Sequence, residues 1–213
     1  MRIVIIGAAG DVGRRIVTEA LSRGHTVTGL VRSETQFGRL PETVKPYAAD
    51  VSNPAETARV IKEQDLVISA VRPPDGHEDV LVSLTRSVLD GAAAAGVRAL
   101  IVGGASRLKL PDGSGATVLS APGFLPASTI PIALACQKQY ELCLTETRVD
   151  WTYLSPAAML EPGERTGRYR LGADTLVADE HGISRISMED FAVAVLDEAE
   201  TPKHTRQPFT VGY

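Results

Sequence analysis

Cysteine is scarce, with only Cys136 and Cys143 among 213 residues. Their separation of seven puts both on one face of a helix, a poor disulfide geometry and no metal motif. They read as small apolar core residues, and free thiols suit a reducing compartment. Histidine is nearly as sparse: His25, His77, His181 and His204 show no ligand spacing, so no metal is expected. A Gly-x-Ser-x-Gly elbow is missing, which argues against that form of nucleophile chemistry. No apolar run is long enough to span a bilayer. The opening Met1-Arg2 leads into Ile3-Val4-Ile5-Ile6 and then glycines, too short for the apolar part of a signal peptide. Lys and Arg are dispersed and the formal net charge is −4, so the basic stripe of a nucleic-acid binder is absent. The expectation is a cytoplasmic protein with neither a membrane nor a nucleic acid as partner. Repeats and low-complexity tracts are also lacking.

What is present can fold. The apolar share is 44% and the charged share 23%, close to a globular average. The length fits one compact domain over residues 1–213. The first half alternates strand and helix signals. Ile3 to Ile6 is a short β-branched run, as in a strand buried on both faces. A helical pattern follows through Val12, Ile16, Val17, Ala20 and Leu21, and Gly24 ends it in a left-handed cap. Further strands are expected near Thr26 to Val31, Val44 to Ala48, Leu66 to Ile68, Ala99 to Val102 and Trp151 to Leu154. Asn53-Pro54 opens a helix to about Glu63. Others are expected from Glu78 to Ala95, from Ile132 to Glu146, and from Met188 to about Glu198 behind Ser187. Phe209 to Val211 reads as a last strand. Alternation of this kind implies parallel strands with right-handed crossovers. Residues 103–131, rich in Gly, Pro and Ser, and residues 156–186, loop-rich with small strands, read as substrate-side loops.

The segment between the first strand and first helix carries the strongest motif, Gly7-Ala8-Ala9-Gly10-Asp11-Val12-Gly13. Three glycines at this spacing allow a tight turn, a close approach of backbone to a pyrophosphate, and close packing of helix on sheet. The helix start then offers N–H groups and a positive dipole end to the phosphates. Gly7, Ala9, Gly10, Asp11, Val12 and Gly13 are therefore expected to bind a dinucleotide. After the second strand stands Leu30-Val31-Arg32-Ser33, with no acid for a ribose 2′-hydroxyl. A guanidinium there suits a 2′-phosphate, so Arg32 and Ser33, with Arg14 as a further partner, favour NADP(H) over NAD(H). Asp50 and Val51 follow the third strand; Asp50 either meets the adenine amino group or is a turn aspartate. Ala70, Val71 and Arg72, after the fourth, would flank a cofactor ribose.

Together these residues resemble the atypical short-chain dehydrogenase/reductases, especially the branch of biliverdin reductase B (flavin reductase) and related bacterial NmrA-like oxidoreductases. The resemblance spans nearly the whole chain. It includes IGAAGDVG, LVR, VGGAS at Val102 to Ser106, WTYLSPAAMLEPGERTG at Trp151 to Gly167, and ISMEDFAVAVLDE at Ile186 to Glu198. It implies an α/β Rossmann-type doubly wound parallel sheet with a small C-terminal substrate region. It also implies NADPH-dependent reduction. By position, Ser106 would lie beside the nicotinamide, or is a loop serine bonding its own backbone. Pro156 and Met159 would cover the carboxamide. Arg107, Phe124 and Leu125 are expected to contact substrate.

Most members of that family use Tyr-x-x-x-Lys, the tyrosine as general acid and the lysine lowering its pKa. None of Tyr47, Tyr140, Tyr153, Tyr169 and Tyr213 is followed by such a lysine, and Ala133 and Gln137 hold the corresponding places. The expectation is hydride transfer to a small conjugated acceptor, of flavin, quinone or tetrapyrrole type, that needs little acid help. The alternative is a non-catalytic NADP(H) sensor, with a sugar-nucleotide epimerase or dehydratase behind it. A monomer or a homodimer fits equally.

Overall fold

A computed structural model describes all 213 residues. The chain runs through β1 (Arg2–Ile6), α1 (Asp11–Ser22), β2 (Thr26–Val31), β3 (Lys45–Ala48), α2 (Pro54–Ile61), β4 (Leu66–Ser69), α3 (Leu81–Ala95) and β5 (Arg98–Val102). It continues through α4 (Ile130–Thr145), β6 (Trp151–Ser155), β7 (Met159–Glu161), β8 (Arg170–Gly172), β9 (Arg185–Ser187), α5 (Met188–Glu200) and β10 (Gln207–Gly212).

Eight strands form one sheet in the order β3-β2-β1-β4-β5-β6-β10-β8, and β7 pairs with β9 apart from it. Every pairing in the main sheet is parallel except β10 with β8. From β1 the chain passes outward through β2 and β3, then returns to place β4 on the other side. That reversal is the topological switch point at which such sheets open a crevice beyond their strand ends. The structure is thus the doubly wound α/β fold anticipated above.

Alternation along the strands sorts two cores. Ile3, Ile5, Ile68, Leu154 and Phe209 pack with α1 and α5 on one face. Val4, Ile6, Val67, Ile101, Trp151 and Tyr153 pack with residues of α2, α3 and α4 on the other. Burying strands on both faces explains why β1 and β4 are continuous apolar runs. Cys136 and Cys143 are buried and unpaired. No helix is long and apolar enough to cross a membrane, and no group of three or more His, Cys, Asp or Glu could hold a metal ion.

Two segments are more ordered than their composition predicts. In the first substrate-side loop Lys109 bridges to both Thr117 and Thr175, and Leu108, Val118 and Leu176 bury a small core of their own. Residues 108–118 are therefore a short hairpin fastened to residues 174–176. The second loop is clasped to α1 and α5. Arg165 grips Glu19 at 2.7 Å, the Gly163 amide donates to Glu189 at 2.8 Å, and the Thr166 and Gly167 amides both donate to Asp190 at 2.8 Å.

Candidate cofactor site

The glycine turn sits at the switch point. The Gly7 amide donates to Leu30 O and the Ala70 amide to Ile6 O, which carries the ladders past the strand ends. Gly7 adopts φ +83°, and a Cβ there would lie 2.6 Å from Ala70 O. The turns after β1 and β4 are pressed together, and only glycine fits in that conformation. Gly10 caps α1 without any side-chain hydrogen bond. The amides of Asp11, Val12 and Gly13 make no backbone hydrogen bond either. A helix start whose donors are free, beside a turn with no Cβ to block approach, fits a pyrophosphate.

At the ends of β2 and β3, Ser33 caps a turn of 3-10 helix over Glu34–Arg39. Arg32 is exposed, and its amide bonds Gln36. Asp50 accepts from the Ser52 amide at 2.9 Å. That bond and the Ser52 hydroxyl hold its carboxyl below the usual carboxylate range, with the nearby Arg32 adding to the effect. One Asp50 oxygen is thus committed to its own turn. Arg39, which the sequence pattern does not mark, lines a cleft of about 470 Å³ with Arg14, Arg15, Thr18 and Arg165 and the carboxylates Glu19 and Glu189, a cleft that Arg32 does not line. The signal of Arg39 is only a basic residue in the last turn of a short helix, too common to single out. Val51, Ala70 and Val71 are partly buried and Arg72 is exposed.

On the far side of the switch point the chain leaves β5 through Gly103 and Gly104. A Cβ on Gly103 would lie 2.0 Å from the Tyr153 ring, and one on Gly104 would lie 2.8 Å from Cys136 Sγ. The Tyr153 hydroxyl accepts from the Gly104 amide at 3.2 Å and donates toward Cys136 O or Gln139 Oε1. Gln139 in turn donates to Thr85 at 3.0 Å. This buried chain of contacts fixes the path into Ser106, whose hydroxyl is buried with no partner. Burial pushes the Tyr153 phenol well above its ordinary value, so it is a structural group.

Pro156 is buried and Met159 exposed. Phe124 is 41% exposed, whereas Leu125 packs at the edge of the Leu108–Val118–Leu176 cluster. Arg107 pairs with Asp174 at 2.8 Å, donates to Ala173 O, and lies 5.1 Å over the Tyr140 ring. Glu164 is exposed and Arg165 is spent on Glu19.

Known proteins share this fold. Residues 7–199 match the NAD(P)H-binding protein family. The uncharacterized protein YwnB of Bacillus subtilis is 36% identical over 99% of this chain and 98% of its own. A Bacteroides thetaiotaomicron structure, provisionally named an epimerase, is 40% identical with a TM-score of 0.90, covering 100% of this chain and 96% of that one. A Streptococcus pneumoniae structure, provisionally named an NADH-flavin reductase, is 30% identical with a TM-score of 0.89, covering 100% and 99%. The chain belongs to the NAD(P)H-binding family.

Proposed function

We propose that the protein is an NADPH-dependent reductase that passes hydride to a conjugated acceptor of flavin, quinone or tetrapyrrole type. The observation that carries this reading is a glycine turn leading into free helix amides in a chain that has no Tyr-x-x-x-Lys pair. Ala133 and Gln137 stand where the family places its Tyr-Lys pair, and Gln137 bonds Glu141. Tyr153 is locked in the core, Tyr213 bonds Asp190, and Tyr169 bonds Asp197. An acceptor that spreads the arriving charge over a conjugated system needs no such acid and takes its proton from solvent.

In this reading the bound nicotinamide supplies the hydride, and the chain's residues place the partners. The free amides of Asp11, Val12 and Gly13 bind the pyrophosphate, with Gly7, Ala9 and Gly10 giving room. Arg32 and Ser33, joined by Arg14 and Arg39, hold the 2′-phosphate. Asp50 and Val51 flank the adenine, and Ala70, Val71 and Arg72 flank a ribose. Pro156 and Met159 cover the carboxamide, and Ser106 offers its unpartnered hydroxyl at the nicotinamide edge. Phe124 and Leu125 border the acceptor. Orientation within contact distance is the chain's main contribution to rate. Its two buried free thiols fit a reducing, cytoplasmic setting.

A second reading, a sensor that binds NADP(H) without turnover, draws on the same lack of an acid. An epimerase, the provisional name of one relative, is disfavoured by the same missing Tyr-Lys pair. The test is NADPH oxidation followed by absorbance with a panel of flavins and quinones. Turnover with any of them supports the reductase. Tight NADPH binding with no turnover on any acceptor transfers the assignment to the sensor.

A further inference from the structure

Beside the hairpin 108–118 lies a cleft of about 450 Å³, lined by Arg107, Lys109, Thr117, Ser120, Gln137 and Tyr140. Its size falls in the range that holds a small ligand or part of a larger one. One wall is α4, contributing Gln137 and Tyr140. The other is the segment that follows directly on Ser106. The cleft thus adjoins in sequence Ser106, the residue that the reading above seats beside the nicotinamide.

Its electrostatics are uneven. Two cations, Arg107 and Lys109, face a single carboxylate, Asp174. Asp174 is 67% exposed, whereas the Arg107 side chain is only 5% exposed. Arg107 is stacked on Tyr140, and Tyr140 packs on Tyr153 with ring centroids 5.3 Å apart. That backing holds the guanidinium plane in place before any ligand arrives. Two of its nitrogens serve Asp174 and Ala173. Its Nε–H is buried and has no partner. A buried donor left unmade is costly, and a charged one more so. Thr117 and Ser120 bond one another and Gln137 bonds Glu141, so it is the unmet donor of Arg107 together with the Lys109 ammonium in the same cleft lining that marks a place for an anionic acceptor of hydrogen bonds.

We propose that this cleft binds the anionic group, phosphate or carboxylate, of the hydride acceptor, with Arg107 and Lys109 as its cationic contacts. The proposal rests on the reductase reading for the word acceptor, but the anion site itself does not depend on turnover. A guanidinium fixed against an aromatic ring presents its donors as a fork suited to carboxylate or phosphate. Lys109, exposed and free to rotate, closes on the anion from the solvent side.

The experiment uses the full chain saturated with NADP⁺, so that the dinucleotide's own phosphate contacts are filled. Inorganic pyrophosphate is titrated while the ¹H–¹⁵N signal of the Arg107 Nε–H is followed by NMR. Arg107→Ala would lose the pair to Asp174 and the stacking on Tyr140, so it reports on folding as well as binding. Lys109→Ala carries the test instead. The expected result is a saturable shift of the Arg107 signal whose midpoint rises about tenfold in Lys109→Ala, the worth of one charge-assisted hydrogen bond. A signal that does not move, or that moves equally in both proteins, overturns the proposal. In parallel, flavin mononucleotide and riboflavin, which differ by one phosphate, are compared by fluorescence quenching. The proposal expects the phosphorylated flavin to bind about tenfold more tightly, with the advantage lost in Lys109→Ala. Flavin and quinone turnover with no phosphate dependence leaves the reductase standing and removes the anion site. An anion-dependent shift without turnover on any acceptor does the reverse.

Discussion

The carbonyl oxygen of Gly7 lies 2.0 Å from where a Cβ on Gly13 would stand. Helix α1 rests directly on the turn that feeds it, and this contact aims its free amides at the crevice. Gly13→Ala must push the helix off the turn. Overpacking of this kind costs about 1–3 kcal/mol. We expect a lower midpoint in chemical denaturation together with at least about a tenfold weaker dinucleotide affinity, since misplacing oriented donors is penalised steeply. Denaturation and equilibrium titration of the same sample check both.

Acid should loosen the clasp between the second loop and α1. The hydrogen bond from Arg165 holds the Glu19 carboxyl below its ordinary value of 4.5; burial opposes this, and Arg23 adds to it. Burial alone would raise Glu198, but His204, the amides of His204 and Lys203, and Arg98 outweigh it and hold it low. A depressed folded pKa means that the unfolded chain takes up the proton first. The stability these groups contribute is therefore full above about pH 4.5 and is lost as pH falls through their folded values. Denaturation midpoints should be flat from neutrality to about pH 5 and fall below that. A midpoint that holds steady to pH 3 contradicts these contacts.

Asp190 is fully buried and gathers the Thr166 and Gly167 amides, the Thr166 hydroxyl and the Tyr213 hydroxyl. It also donates its amide to the Ser187 hydroxyl that caps α5. Asp190→Ala removes the shared acceptor of four donors at once and should cost about 3 kcal/mol. Hydrogen exchange should then accelerate over residues 159–169 before it does in β1 or β4.

The two thiols should be inert in the native protein. Burial raises Cys136 to about 11 and Cys143 to about 12, and the thiolate is the reactive form. A thiol reagent at neutral pH should label neither cysteine until denaturant unfolds the chain. Rapid native labelling would mean that α4 opens locally.

Legibility in the sequence followed the range of the contacts. The strands β1, β2 and β4, the glycine turn and the cap at Ser187 rest on neighbours a few residues away, and local pattern marked them. Helix α4 begins at Ile130, two residues before the Ile132 that the pattern marks, because proline suits the opening positions of a helix. The strands β7 and β8 lie where small strands are expected after Pro156, but their bounds and partners, like the hairpin at Lys109, are not legible in the pattern. Their partners are remote in sequence, as when Lys109 meets Thr175 or Arg165 meets Glu19, 146 residues away. Arg107 could be named from its place after Ser106, but its pairing with Asp174 could not. Arg39 gave no usable signal at all.

The central claim is that the glycine turn and Arg32 together hold a nicotinamide dinucleotide bearing a 2′-phosphate. The most direct measurement is a side-by-side equilibrium titration of the wild-type protein and Arg32→Glu with NADPH and NADH. The account predicts that the wild type binds NADPH at least about tenfold more tightly, the worth of a charged hydrogen bond to the phosphate, and that Arg32→Glu loses NADPH affinity far more than NADH affinity. Equal affinity for the two cofactors in the wild type, or equal losses in the variant, would contradict it.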